Sequence, residues 1–207
     1  MEVLTFEQLV DVVFRRGANG RSITAIAGPP GSGKSTTAEK LERALNTLEL
    51  GSAAVLPMDG YHLDDMVLEA RGLLRRKGAP ETFDVDGLGS MLMRLRANEV
   101  QEIAIPVFDR DTEIARAGAR IIPQEVRRLI VEGNYLLLDQ APWHRLRSMF
   151  DTTVAIGVDE SELRRRIEAR WHGYGLSEAE VADKVDGNDL VNARLVLAGS
   201  VAAELML

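Results

Sequence analysis

The sequence predicts an α/β fold with three layers, α/β/α, a mostly parallel central sheet and a small helical lid. Short apolar runs alternate with segments of helical periodicity along the 207 residues, and repeated β-α units of this kind build parallel sheets that are covered on both faces. A glycine-rich motif separates one early apolar run from the helical pattern after it. No linker-like composition divides the chain, so residues 1–207 are expected to form a single domain.

The individual elements follow from local spacing. Apolar residues recur at helical intervals over residues 6–16, and Thr5 with Gln8 forms a capping-box pattern, which predicts an opening helix there. Strands are expected at 22–27, 53–56, 103–107, 128–131 and 152–158. Further helices are expected at 36–45, 63–76, 88–97 and 160–170.

Residues 171–188 differ in character from the rest of the chain. They contain Gly173 and Gly175, a helix-start signal at Ser177 and a polar Gly-Asn-Asp segment that reads as a turn at Gly187. We expect this stretch to be a mobile lid and its return.

Composition excludes several classes of protein. The net charge of -7 argues against a nucleic-acid partner, because phosphate backbones require a basic face. The absence of cysteine excludes disulfides, zinc-thiolate sites and thiol nucleophiles, and agrees with a reducing compartment. No run of ~18 apolar residues predicts a membrane span, and the N-terminal residues do not resemble a signal peptide. We expect a cytoplasmic location and no membrane partner. A homodimer is an open alternative to a monomer.

The strongest motif is Gly-Pro-Pro-Gly-Ser-Gly-Lys-Ser at residues 28–35, which matches the P-loop pattern. In this pattern backbone N–H groups surround phosphates, the lysine meets their charge, and the hydroxyl binds magnesium. The motif lies between a predicted strand and a predicted helix, the context that it requires, and therefore indicates a P-loop NTPase fold, with ATP and Mg²⁺ as the expected cofactors. On its own it leaves kinase, GTPase, motor and transporter ATPase open. The residues expected at the nucleotide are Gly28, Pro29, Pro30, Gly31, Ser32, Gly33, Lys34, Ser35 and Thr36.

Two acidic residues follow predicted strands. Asp59 lies just past the run at 53–56, and Glu132 follows the run at 128–131. Open α/β sheets bind ligands at the carboxyl ends of their strands. Asp59 is therefore a candidate to take a proton from an attacking hydroxyl, and Glu132 a candidate magnesium ligand beside Ser35. The alternatives are a turn-forming aspartate and a helix-capping glutamate.

Five segments together resemble the uridine kinase, phosphoribulokinase and type I pantothenate kinase superfamily of P-loop kinases. They are GPPGSGKST, PMDGYHLDD, RRKGAPETFDVDGL, PVFDRD and VEGNYLLL, they occur in family order, and the resemblance runs from about Ser22 to Asn192. The resemblance implies that Asp59 activates the acceptor, that Glu132 is the magnesium-associated acid, and that Lys34 and Ser35 serve the nucleotide phosphates.

Phosphoryl transfer also needs cations around the moving phosphate. Arg166 and Arg170 lie four residues apart on one predicted helix face, and they resemble the family's lid arginines. The alternative is a solvated basic face balanced by neighbouring glutamates. With Asp59 and Lys34, these arginines complete the predicted catalytic set.

The acceptor site is assigned from weaker signals. Asp84 resembles a family position that binds acceptor hydroxyls, whereas Asp86 has the alternative role of capping the next helix. Trp171 and Tyr174 beside the lid glycines, together with Asn188 and Asn192, are candidates for the nucleotide base, with lid packing as the alternative for the aromatic pair. The predicted acceptor-binding residues are Asp59, Tyr61, His62, Asp84, Asp109 and Arg110.

The motifs leave the acceptor open but disfavour two family substrates. After PVFD the chain continues Arg110-Asp111-Thr112-Glu113, without the histidine that uridine kinases place there. The chain is also shorter than pantothenate kinases. Short family members labelled as kinases of a fructose transport system carry this motif set, so the expected acceptor is a sugar or sugar-like molecule. The alternatives are a nucleoside or pantothenate kinase and, in another class, a regulatory NTPase with no metabolite acceptor.

Overall fold

A computed structural model describes all 207 residues, and its eight strands form two sheets. The strands are β1 (Glu2–Val3), β2 (Ser22–Ala27), β3 (Ala53–Pro57), β4 (Glu102–Asp109), β5 (Ile114–Pro123), β6 (Arg128–Gly133), β7 (Thr152–Ala155) and β8 (Leu205–Met206). Six of them make a sheet in the order β1, β8, β7, β2, β6, β3, and every neighbouring pair in it is parallel. The predicted parallel α/β sheet is thereby confirmed.

Seven α-helices and several short helical turns surround the sheet. The helices are α1 (Phe6–Arg16), α2 (Lys34–Leu48), α3 (Asp65–Ala70), α4 (Val85–Ala97), α5 (Glu160–Gly173), α6 (Glu178–Lys184) and α7 (Leu190–Gly199). The first helix has the predicted bounds because Thr5 and Gln8 form the capping box at its start. None of the helices combines the length and apolar character needed to cross a membrane.

Two apolar cores lie on opposite faces of the parallel sheet. Along β2, Ile23 and Ala25 contribute to the core shared with α4 and α7, while Ile26 packs with α1 and α2 on the other face. Successive side chains of a strand point to opposite faces, so both sides of a covered strand must be apolar. Each fully buried aliphatic side chain of this kind contributes ~1.5–3 kcal/mol.

A separate antiparallel hairpin corrects the prediction for residues 103–107. That segment forms β4, but β4 pairs with β5 in a two-stranded sheet and does not join the parallel sheet. The pattern of residues 114–123 did not predict β5, because most of them are exposed and the centre contains Arg116, Gly118 and Arg120 in place of an apolar run. The hairpin instead covers the segment that follows β3.

Two other segments differ from the predicted ones. Residues 63–76 do not form one helix: α3 ends at Ala70, and a short 3-10 turn follows at Leu74–Arg76. The expected turn at Gly187 lies within a π-helical segment, Val185–Asp189, that runs directly from α6 into α7. The predicted cap is confirmed, since Ser177 and Glu180 form a capping box at the start of α6.

A buried arginine joins α1, α2 and the start of β6. The Arg128 side chain is only 2% exposed, donates to the Phe14 carbonyl at 3.1 Å, and pairs with the Glu49 carboxylate at 2.8 Å. Its guanidinium lies 4.1 Å from the centre of the Phe14 ring. Burial lowers the pKa of Arg128, so the Glu49 charge is needed to compensate for the lost hydration.

Replacing Glu49 with glutamine should lower the free energy of unfolding by about 2 kcal/mol, because it leaves Arg128 buried without its counter-ion. Glu204→Gln is the matched control, since Glu204 pairs with Arg16 where both side chains are partly exposed. Its expected cost is below about 1 kcal/mol. Urea denaturation measures both values. Equal losses in the two variants would contradict the role given to Arg128.

Candidate functional site

The P-loop lies between β2 and α2, as its sequence context predicts. Gly33 precedes α2 with a φ of 93°, a left-handed conformation that favours glycine. The first N–H groups of α2 have no partner within the helix and carry the positive end of its dipole. This arrangement fits a chain of phosphates.

Strand register brings the two predicted acids to the same edge of the sheet. Pro57 of β3 lies opposite Glu132 of β6, and Glu132 lies opposite Ile26 of β2. The P-loop begins within a few residues of this row, and Asp59 also lies within a few residues of it. The structure therefore brings the nucleotide loop, Asp59 and Glu132 together.

Ser35 and Glu132 form an oxygen pair on the floor of the site. The Ser35 hydroxyl donates to a Glu132 carboxylate oxygen at 3.1 Å, and Glu132 is 6% exposed. Burial raises the pKa of Glu132, while the charge of Lys34 opposes this shift. Hard oxygen donors of this kind suit Mg²⁺. The two side chains therefore fit the predicted magnesium site.

Lys34 lines the same cleft as the first residue of α2. Burial lowers the pKa of its ammonium, and the carboxylates of Glu132 and Asp59 act in the opposite direction. A lysine held between a helix N-terminus and two acids is well placed to meet the negative charge of a phosphate.

Asp59 lies in a short 3-10 turn, Met58–Tyr61, directly after β3. Its carboxylate accepts a hydrogen bond from Arg110 at 2.9 Å; the arginine side chain is 53% exposed and the aspartate side chain 22%. The turn packs against the hairpin so closely that a Cβ on Gly60 would lie 2.4 Å from the Pro106 carbonyl oxygen. The hairpin thus determines where Asp59 and Arg110 meet.

His62 lies next to Asp59 between two aromatic rings. Its ring centre is 4.1 Å from that of Phe83 and 4.6 Å from that of Phe108, and its Nδ1 lies 2.7 Å from the Asp59 carbonyl oxygen. Burial lowers the pKa of His62, so its imidazole is neutral near pH 7. It offers the site a polar ring without a charge.

A single cleft of about 980 Å³ runs from the P-loop to the lid. A smaller pocket of about 190 Å³ shares Ser35, Asp59 and Arg110 with it and is also lined by Glu132. Most of the predicted site residues line one or both. Those that line the larger cleft are Pro30, Gly31, Gly33, Lys34, Ser35, Thr36, Asp59, His62, Arg110, Arg170, Trp171, Tyr174, Asn188 and Asn192.

Several predicted residues do not line the cleft and have other contacts. Asp84 is the N-cap of α4, where it accepts from the Gly87 amide at 2.9 Å, so Asp86 is not the capping residue. Asp109 accepts from two amides of its own turn and pairs with Arg116 at 3.0 Å. Tyr61 is 7% exposed with a buried, unpartnered hydroxyl. Gly28, Pro29 and Ser32 lie in the loop behind the cleft surface.

The two predicted lid arginines have different positions. Arg166 donates to the P-loop carbonyls of Gly31 and Ser32 at 3.4 and 3.2 Å, so it braces the loop from outside the cleft. Arg170 lines the cleft and pairs with Asp189 at 3.3 Å. The Trp171 indole N–H donates to the same carboxylate at 2.7 Å.

Several cleft residues that were not predicted lie on segments that carry the family motifs. Arg75, Arg76 and Lys77 line the cleft from the turn after α3, and Asn134 lines it directly after β6. The Asn134 side-chain oxygen is buried without a partner. A signal was present, since the three cations follow one another in the RRKG segment, but their position became clear only in three dimensions.

The lid and the acceptor side of the cleft are joined by one hydrogen bond. The Asn188 amide donates to the Lys77 carbonyl at 2.9 Å, and the Asn192 amide donates to the Asn188 side-chain oxygen at 3.1 Å. The two asparagines therefore organise protein backbone in this structure.

Comparison with known proteins agrees with this geometry. The family model described as "AAA domain" matches residues 25–186. The chain is 34% identical to the "Putative uridine kinase" of Schizosaccharomyces pombe, with 90% of this chain and 83% of that protein covered. It is 31% identical to a pantothenate kinase of Enterococcus faecalis, with 69% of this chain and 47% of that protein covered. A crystal structure of a "putative fructose transport system kinase" from Silicibacter sp. TM1040 superposes with a TM-score of 0.92 at 40% identity, covering 99% of both chains.

Gly60→Ala should displace the Asp59 turn, because the added Cβ has to move the Pro106 backbone away. We expect the free energy of unfolding to fall by about 1–3 kcal/mol. Gly173→Ala is the control, since a Cβ there meets no atom within 4 Å. Urea denaturation of both variants tests this, and an unchanged stability in Gly60→Ala would contradict the close packing of turn and hairpin.

Proposed function

We propose that this chain, which belongs to the AAA-domain family and is a P-loop kinase of the uridine kinase and pantothenate kinase type, transfers the γ-phosphate of ATP to a hydroxyl of a sugar or sugar-like metabolite. The observation that carries the proposal is the meeting of Asp59 with the P-loop and the Ser35–Glu132 pair at one sheet edge. A hydroxyl acceptor explains why a carboxylate stands opposite the phosphate loop.

Asp59 is the proposed base. As the acceptor oxygen forms its bond to the γ-phosphorus, the hydroxyl proton passes to the Asp59 carboxylate. The bond from that phosphorus to the β,γ-bridging oxygen breaks, and ADP leaves with the bonding electron pair. The enzyme contributes mainly alignment and charge stabilisation in such a reaction.

The nucleotide-side residues hold the phosphates. The N–H groups at the start of α2 and the Lys34 ammonium bind phosphate oxygens, and Arg170 approaches from the lid once it leaves Asp189. Arg166 keeps the loop in shape through the carbonyls that it binds. When bound by Ser35 and Glu132, Mg²⁺ supplies charge neutralisation for the transferred phosphate.

The experiment described below distinguishes this proposal from two alternatives. One is a nucleoside or pantothenate acceptor, which the names of the relatives support. The other is a regulatory NTPase without a metabolite acceptor, for which Asp59 would have no hydroxyl to activate. A cytoplasmic location and a homodimer stay predictions.

Asp59→Asn should abolish acceptor-dependent ADP release and leave nucleotide binding nearly intact, whereas Lys34→Ala should weaken nucleotide binding. The measurement is ADP release with Mg²⁺ and ATP across sugars, nucleosides, pantothenate and phosphosugars. We expect a loss of at least ~100-fold in Asp59→Asn, the lower range for a positioned general base. Steady release that ignores both the acceptor and the substitution would favour the NTPase.

Asp86→Asn is the matched control for this series. The Asp86 side chain is 78% exposed and pairs only with Arg145 outside the cleft. Its variant should keep the wild-type rate, and a similar loss there would assign the effect of Asp59→Asn to general charge removal.

We also propose that residues 171–188 close over the phosphates when both substrates bind. The lid helices should then become more resistant to protease when ATP and the acceptor are added together. Limited proteolysis followed by mass spectrometry of the fragments measures this, and cleavage at an unchanged rate would count against closure.

A further inference from the structure

The Asp59–Arg110 pair raises a question about the acceptor, since the proposed base is already bound by a cation. Arg110 lies in the turn between β4 and β5, and Asp59 is its single carboxylate partner. We propose that the acceptor carries an anionic group, a carboxylate or a phosphate, that draws Arg110 away from Asp59 when the acceptor binds. This inference rests on the proposed kinase function.

Arg110 and the acceptor hydroxyl compete for one of the two carboxylate oxygens of Asp59. One carboxylate oxygen of Asp59 accepts the Arg110 N–H at 2.9 Å, and a base must be within similar reach of the hydroxyl whose proton it takes. The guanidinium lines the cleft at this point and also lines the smaller pocket beside Ser35. A hydroxyl that approaches Oδ2 of Asp59 therefore has to displace Arg110, and one that approaches Oδ1 lies beside the guanidinium.

Arg110 is suited to exchange one anion for another. Its side chain is 53% exposed and is held by a single carboxylate, and an exposed pair of this kind is worth at most ~1 kcal/mol. An arginine fork binds carboxylate or phosphate with two parallel hydrogen bonds. A neutral polyol offers no charge to replace Asp59, so it leaves the pair closed.

The charge of the cleft wall supports an anionic occupant beyond ATP. Seven lysines and arginines line the cleft against four aspartates and glutamates, although the whole chain has a net charge of -7. Lys34 and Arg170 face the nucleotide loop. On the acceptor side Arg76 pairs with Glu81 at 2.8 Å and Lys77 pairs with Asp65 at 2.6 Å. Arg75, which has no ion pair, and Arg110, which has only Asp59, are the cations left there for an anion.

Contacts bring the turn after α3 close to the hairpin that carries Arg110. The Lys77 ammonium lies 5.5 Å from the centre of the Phe108 ring and donates to the Glu113 carbonyl at 2.5 Å, so the turn after α3 meets the hairpin. The Phe108 ring in turn contacts His62. Arg75 lines this side of the cleft and forms no ion pair. Because Lys77 is paired with Asp65, Arg75 is the charge on this side of the cleft that no carboxylate offsets.

The test compares matched acceptors that differ in one charged group. The pairs are sorbitol with gluconate, panthenol with pantothenate, and fructose with fructose 6-phosphate; the first two introduce a carboxylate and the third a phosphate. We measure kcat and KM for each member, and KM for ATP, in the wild type, in Arg110→Gln and in Arg116→Gln. Arg116 is the control because it lies on the same hairpin and pairs with one carboxylate outside the cleft.

The wild type should prefer the charged member of at least one pair. Arg110→Gln should lower kcat/KM for that member by about 10- to 100-fold, mainly through KM, which is the range for a lost charge-assisted hydrogen bond. The neutral member should change much less, and Arg116→Gln should keep the wild-type preference. Preference for a carboxylate or for a phosphate then identifies the anion.

Three results would overturn the inference while leaving the kinase intact. They are equal use of charged and neutral members, an equal loss for both in Arg110→Gln, and a raised KM for ATP with unchanged acceptor preference. The last result would assign Arg110 to the nucleotide phosphates.

Calorimetric titration of the same compounds into the full chain, with a non-hydrolysable ATP analogue and Mg²⁺, separates recognition from transfer. Binding of a charged member that Arg110→Gln removes, without phosphoryl transfer, would support anion recognition and contradict the kinase. If no member of any pair binds or is phosphorylated, this inference is overturned.

Discussion

The functional site depends on the parallel register of three neighbouring strands. Because Pro57, Glu132 and Ile26 lie in one row across β3, β6 and β2, the segments that leave these strands begin at the same edge. The P-loop, the Asp59 turn and the Glu132 carboxylate are all consequences of that row. A shift of one residue in β3 would turn its apolar side chains to the wrong faces, so the packing of the two cores also protects the geometry of the site.

The same arrangement costs electrostatic free energy, because it buries charged side chains. Glu132 and Lys34 are placed where burial disfavours both charges, and each is partly compensated by the other. Apolar packing on both faces of the sheet, not these pairs, supplies the stability that holds them there. The surface near the cleft is different: Arg110, Arg170 and their aspartate partners are partly exposed, so those contacts are easily exchanged while the floor stays fixed.

Local signals were sufficient for much of the fold. Apolar periodicity and the capping box predicted α1 with its observed bounds, and the apolar run at 22–27 with the P-loop after it predicted β2. The hairpin could not be read in the same way, because β5 is an exposed strand without a core-facing run. Asp59 and Arg110 are 51 residues apart along the chain. Sequence spacing carries no information about a contact that depends on how the hairpin folds over the turn after β3. The role of Asp84 as an N-cap was missed because Asp86 offered an equally good local signal.

The hydrogen bond from Asn188 to the Lys77 carbonyl connects the lid at one end of the cleft to the turn after α3 at the other. A movement of the lid must either carry the turn after α3 with it or break that bond, and the same holds for a movement that starts in the turn. If lid closure and acceptor binding both change this bond, each alters the free energy of the other, and by thermodynamic linkage the two effects are equal. Two segments that lie 111 residues apart along the chain therefore meet at one contact of the cleft.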